Sequence, residues 1–489
     1  MSSSRLPQPS SRDTLRAAYE AVRAHSLALA EPLSPEDQCV QSMPDASPTK
    51  WHLAHTTWFF ETLVLREHDP AYKLFDEHFP YLFNSYYEAL GPRHARPERG
   101  MLTRPSQQQV LAYRRHVDES MAALLDSADT DVLAALAPML ELGLHHEQQH
   151  QELLLTDILH AFSRNPLFPA YRSAGVLNAP GVTSAVGPAG TPRALTIVSS
   201  AEGVGRHAST DDGGARTDST VAAGAGAGLG AARSAGAGTA ADASTTAHSS
   251  SAPAGGIALQ WLRHPGGMVE VGHHADPSLG FAFDNERPRH AAYLHPYAIA
   301  NRLVTCGEYA CFIEDGGYQR PEFWLSDGWA TVRAQEWQAP AYWLLDGDAR
   351  LRARGLEGDH VFGLGGLLPL DPHEPVAQLS LYEAAAYAAW ADARLPTEFE
   401  WEAASLLPGF LQGSRHVWQW TRSSYDPYPG FKPLNGAAAE YNGKFMVGQL
   451  VLRGGSIATP EGHTRPTYRN FFPPAARWQF SGLRLARDI

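Results

Sequence analysis

The sequence predicts a helical bundle followed by an irregular α+β domain, with a long low-complexity segment between them. Three observations carry the expectation. Residues up to about 165 repeat apolar positions at helical spacing, 176–256 hold hardly an aromatic residue, and from 257 onward short apolar stretches alternate with Trp, Gly and Pro. A chain of 489 residues also exceeds what one hydrophobic core usually serves. Two globular domains are therefore expected, at 1–175 and 257–489.

Helix signals punctuate the first part in order. Ser11 can cap a helix through about residue 30, and in SPTKWHLAHTTWFFETLVLREHD Ser47 can cap a second, with Pro48 at its first position, where proline loses no hydrogen bond. A third runs from about Ser106 through LAYRRHVDESMAALLD, and a fourth from about Asp131 through LLLTDILHAF. Four segments of this length suggest a four-helix bundle, whose interior is a usual place for metals held by facing helices.

The Ala, Gly, Ser and Thr of 176–256 bury too little apolar surface to offset ordering entropy, so this stretch is expected to be a disordered insertion or linker. Beyond it, LSLYEAAAYAAWADA is one clear helix and few strands are long. A hydrophobic fraction of 44% with no run near the roughly 18 apolar residues of a membrane span excludes a membrane protein. The net charge of −13 disfavours nucleic acid, whose phosphates need clustered Lys and Arg, and favours a small-molecule substrate. The N-terminus shows no secretory pattern, and Cys39, Cys306 and Cys311 are too few and scattered for a disulfide framework. A cytoplasmic location is the expectation; oligomeric state is left open.

Chemistry concentrates in LGLHHEQQHQELL, residues 142–154. Residues four apart on a helix lie about 40° apart, so His146 and His150 can address one ion. A third ligand is expected from another bundle helix, and HLAH on the second supplies His52 and His55. These stand three apart and share a face, so spacing leaves both open. Gln149, about 60° from His146, flanks the same face, whereas Glu152 is turned roughly 120° from His146 and is expected to support the ligands from behind. His145 is expected to pack or face solvent. Three neutral imidazoles with open positions suit Zn(II) or Fe(II).

SPTKWHLAHTTWFFE, followed by HHEQQHQELLLTDILHAF, resembles the N-terminal DinB-like bundle of the ergothioneine-biosynthetic sulfoxide synthases, the EgtB family. GGMVEVG, FAFDNERPRHAAYL, GEYACFIEDGGY, PEFWLSDGW, ARLPTEFEWE, VLRGGS and FSGLRLAR are similar to the formylglycine-generating-enzyme-type, C-type-lectin-like domain. The fold class expected is thus α plus α+β, a DinB-like four-helix bundle followed by that domain. The resemblance implies an Fe(II)- and O2-dependent oxidoreductase joining a thiol to C2 of the hercynine imidazole as a sulfoxide. It implies His55, His146 and His150 as iron ligands, with His52 a bystander. Gln149, Tyr441 and Asn470, with Phe471 beside it, would hold hercynine, whose trimethylammonium group suits aromatic faces.

One departure from the family pattern redirects the catalytic expectation. Many members carry PYxEY, whose first tyrosine is the proton donor, but the aligned stretch here is AAAEY, with Ala438 at that position. A subgroup carries a tyrosine pair after the second helix, and FNSYYEALGPRH supplies Tyr86 and Tyr87, one expected to donate the proton or electron and the other to orient it. Arg93 and Arg96 follow, in a region where members hold γ-glutamylcysteine, while Phe472 stands where some carry an acidic residue; γ-glutamylcysteine and cysteine both remain candidates. Three rivals are weaker. An ovothiol-type synthase commonly adds a methyltransferase domain, a formylglycine-generating enzyme needs a late cysteine pair absent after Cys311, and a non-catalytic binding module has no need of all three histidines.

Overall fold

A computed structural model describes residues 11–172 and 257–489, apart from 275 and 277–279, so the insertion expected at 176–256 lies outside the described residues. The bundle is built from α1 (Arg12–Ala30), α2 (Thr49–Phe60), α3 (Gln107–Ser127) and α4 (Thr130–Ser163). Ser11 caps α1 by accepting from the Thr14 amide, and Ser106 with Gln109 forms a capping box on α3. Asp129 caps α4 through the amides of Asp131 and Val132.

The start of α2 differs from expectation. Pro48 takes the cap position without a side-chain bond, because the Ser47 hydroxyl accepts from Arg99 Nη1 at 2.9 Å and its amide donates to Asp157 Oδ2 at 2.7 Å. Every residue of α2 is buried, which explains a sequence without a polar stripe. The helix continues through a π-helical turn at Glu61–Leu65, where Glu61 accepts from Tyr72 and Tyr113. α4 packs closely on α2 at Gly143, where a Cβ would stand 2.6 Å from the Phe60 ring.

The second domain holds short, mostly antiparallel sheets. One orders Trp261–His264, Tyr297–Ala300 and Ala486–Asp488; another orders Asn470–Phe472, Leu450–Gly454, Trp418–Ser424 and Ser481–Gly482, the last pair parallel. The helix expected in LSLYEAAAYAAWADA spans Leu381–Trp390, with Ser380 and Glu383 as its capping box. A continuous apolar cluster runs from Leu136, Leu140 and Trp58 in the bundle to Phe283, Tyr441 and Tyr468 in the second domain. Among the described residues, no helix is long and apolar enough to cross a membrane.

Glu152 overturns its expected place. It does not support the histidines but accepts from Trp418 Nε1 at 2.8 Å, Ser456 Oγ at 2.5 Å and Thr459 Oγ1 at 2.7 Å. The wheel turns it away from His146 and His150, and that direction is where the second domain sits. Glu152 therefore fastens α4 to that domain.

Candidate metal centre

His55 on α2 and His146 and His150 on α4 are buried and place one nitrogen each within 4.8 Å of one another. Nε2 of His55 lies 3.2 Å from Nε2 of His146. Two imidazole nitrogens bound at about 2.1 Å in adjacent positions on one ion stand about 3 Å apart, so the spacing fits shared coordination. Burial pushes all three imidazoles far below their usual range, His146 to about 3. They are therefore neutral at physiological pH, the form that ligates.

Each imidazole has a different backing. His55 Nδ1 bonds the Phe83 carbonyl at 2.6 Å, which leaves Nε2 as its lone pair. Its ring stacks on Trp51 at 4.6 Å and on Trp58 at 5.5 Å. His150 Nδ1 lies 2.8 Å from Nδ1 of His52, whose Nε2 lies 3.0 Å from Asp157 Oδ2. His52 is thus no bystander, although it stands outside the converging set. His146 Nδ1 is buried without a partner.

The second domain closes over one side of this set. Gln149 accepts from the Tyr441 hydroxyl and donates Nε2–H to the Tyr468 hydroxyl at 2.8 Å. The Tyr441 ring lies 5.6 Å from His146 and stacks on Phe283 at 5.5 Å. His145 packs, as expected, with its ring 3.9 Å from Phe281, and His463 reaches Tyr468 at 3.2 Å. Tyr468, Phe283 and His463 escaped the sequence reading, since each comes from a loop with no period of its own. Asp157 did carry a signal, because it stands two turns beyond His150, about 20° around the helix.

The remaining predicted residues are placed as follows. Asn470 accepts from the Phe471 amide at 2.9 Å, and Phe471 stacks on Tyr425 at 4.0 Å. Tyr86 and Tyr87 stack at 5.0 Å, and Tyr87 lies 5.4 Å from Trp58, one ring removed from His55. The Tyr87 hydroxyl is buried and interacts with that of Tyr86. Burial raises both phenols, Tyr86 to about 12 and Tyr87 further, so both keep their protons at neutral pH. Ala438 is buried beside Tyr441 in the turn Gly436–Glu440.

Arg93 pairs with Glu88 at 2.9 Å and Arg96 bonds the Asp45 carbonyl. A third arginine of this run, Arg99, lies 3.4 Å over the Trp51 ring and is buried without a carboxylate partner. Burial and the charges of Arg96 and Arg93 push it down from the usual guanidinium range.

Comparison with known proteins follows the same two-part division. Residues 18–154 match the DinB superfamily, and 258–416 with 408–489 match the sulfatase-modifying factor enzyme 1-like domain. A hercynine oxygenase of Mycolicibacterium smegmatis is 35% identical over 295 residues, covering 48% of this chain and 64% of that protein. A formylglycine-generating enzyme of Streptomyces coelicolor is 32% identical over 159 residues, covering 32% and 49%. Ergothioneine biosynthesis protein 1 of Schizosaccharomyces pombe is 25% identical over 251 residues, covering 44% and 29%. The chain spans less than two thirds of the length of each of these relatives. With a DinB bundle and a sulfatase-modifying-factor domain in one chain, and hercynine oxygenases among its relatives, the protein belongs to the EgtB family.

Proposed function

We propose that the chain is an iron(II) enzyme that uses O2 to join a thiol to C2 of the hercynine imidazole, giving the sulfoxide. The observation that carries the reading is the convergence of His55, His146 and His150 beside an aromatic wall, in a chain similar to hercynine oxygenases. Bound to these imidazoles, iron(II) would supply the one-electron chemistry that O2 requires and favour the thiolate over the thiol. The reaction balances without another reductant. C2–H and S–H each give up hydrogen, a C–S bond forms, one oxygen atom stays on sulfur and the other leaves as water.

The chain's own residues then have separable tasks. Gln149, held from both ends by Tyr441 and Tyr468, presents an amide to the hercynine imidazole. The faces of Tyr441 and Phe283 suit the trimethylammonium group, and Asn470 and Phe471 are assigned to the same substrate on the family resemblance. Arg93, Arg96 and Arg99 form a cationic run facing too few carboxylates, which favours the carboxylate of γ-glutamylcysteine or cysteine. The test is iron content and O2 uptake with hercynine plus each thiol. Stoichiometric iron and a sulfoxide product are expected; a protein free of iron at pH 7.5, or one that turns over histidine in place of hercynine, refutes the reading.

Tyr86 and Tyr87 hold the mobile proton. Burial keeps both phenols protonated, and their hydroxyls interact with one another. Replacing both by Phe is expected to lower sulfoxide formation by about 10²–10⁴-fold, the usual range for loss of a positioned acid. O2 uptake should then be diverted to thiol oxidation, read from disulfide accumulation. Unchanged sulfoxide yield would remove the pair from the mechanism.

A further inference from the structure

We infer that His52 and Asp157 position His150 as a metal ligand, by fixing the tautomer that turns its Nε2 lone pair toward His55 and His146. The inference rests on the metal reading above. The two Nδ1 atoms of His52 and His150 are 2.8 Å apart, and a hydrogen bond across that gap has room for one proton. On His150, that proton leaves Nε2 as an acceptor aimed at the ion; on His52, a neutral His150 carries its proton on Nε2 and cannot ligate.

Asp157 decides between the two. Its Oδ2 accepts from the Ser47 amide at 2.7 Å and lies 3.0 Å from His52 Nε2. A carboxylate offers no proton, so His52 donates from Nε2, and a His52 carrying a single ring proton then has an acceptor at Nδ1. The proton between the rings then belongs to His150. Metal-bound imidazoles are commonly oriented by a carboxylate or carbonyl on the far nitrogen. Here the carboxylate acts one ring further away, through His52, and the Ser47 amide at the mouth of α2 holds it in place.

The experiment measures Co(II) and Fe(II) dissociation constants by chelator competition and the visible Co(II) absorption spectrum. Three variants divide the two ends of His52. In His52→Asn the amide oxygen takes the place of Nδ1 and can still accept from His150. In His52→Gln the amide takes the place of Nε2, keeping Asp157 and losing His150. His52→Ala loses both.

Weakening of about 10- to 100-fold is expected for His52→Ala and His52→Gln, with an altered Co(II) spectrum, while His52→Asn stays near the parent protein. A role limited to filling space or pairing Asp157 would instead spare His52→Gln. That order, or parent-like affinity in His52→Ala, overturns the inference. A parent protein that binds neither metal overturns the metal reading itself. Melting of the metal-free proteins separates folding loss from ligand loss, and a His52→Ala too unstable to measure leaves the Asn and Gln comparison to decide.

Discussion

His55→Ala is expected to abolish iron(II) binding and, with it, O2 uptake in the presence of hercynine and thiol. His55 is the sole member of the converging set outside α4, so its loss leaves His146 and His150 as a two-nitrogen pair on one helix. Such a pair binds many divalent ions weakly and selects none of them. The fall in affinity should exceed the roughly 10–100-fold that follows loss of an outer partner. Chelator competition measures it, and iron retained at parent affinity would place the third ligand elsewhere.

The same substitution empties a buried slot between Trp51 and Trp58, so a stability loss of about 2–5 kcal/mol is expected beside the metal effect. His55→Gln fills more of the slot and separates the two consequences. It should recover stability but not iron. The order of effects therefore distinguishes a ligand from a packing residue.

These contrasts explain which parts of the molecule the sequence makes legible. Ser11 and Ser106 announce their helices because capping is a local interaction within three or four residues, and the spacing of His146 and His150 is set by the same helical period. Spacing could not choose between His52 and His55, since both project from one face of a helix buried all round; the choice needed the family pattern. Ser47 misled because its amide and hydroxyl are taken by Asp157 and Arg99, partners 110 and 52 residues away. Glu152 misled for a related reason. The wheel correctly turned it from the ligands, but what it meets there, Trp418, Ser456 and Thr459, lies more than 260 residues along the chain and follows no period.

Glu147→Ala is the substitution expected to cost the fold most, at about 3–5 kcal/mol in urea or thermal unfolding. Its carboxylate is fully buried next to His146 in sequence. It accepts from Arg23 Nη1 at 3.0 Å, from Arg114 and from Ser26 Oγ at 2.5 Å. Burial alone would raise this carboxyl, but Arg114 and Arg23 override it and hold it at about 2. Removing it leaves two guanidiniums from α1 and α3 inside the bundle, with only Asp118 at the edge to compensate. The expected loss comes chiefly from those stranded charges and less from the attraction itself. Replacing the trio together, Glu147→Leu with Arg23→Met and Arg114→Met, should therefore recover much of the stability, since a well-packed apolar group of similar volume avoids desolvating all three ions. If the triple variant is as unstable as Glu147→Ala, the network contributes specific bonds that no apolar packing replaces. Metal affinity measured on the same proteins then shows what the network is for: a stable triple variant that still binds iron would make it a scaffold joining α1 and α3 to α4. A stable one that does not would mean the charges also hold His146 in register with His55.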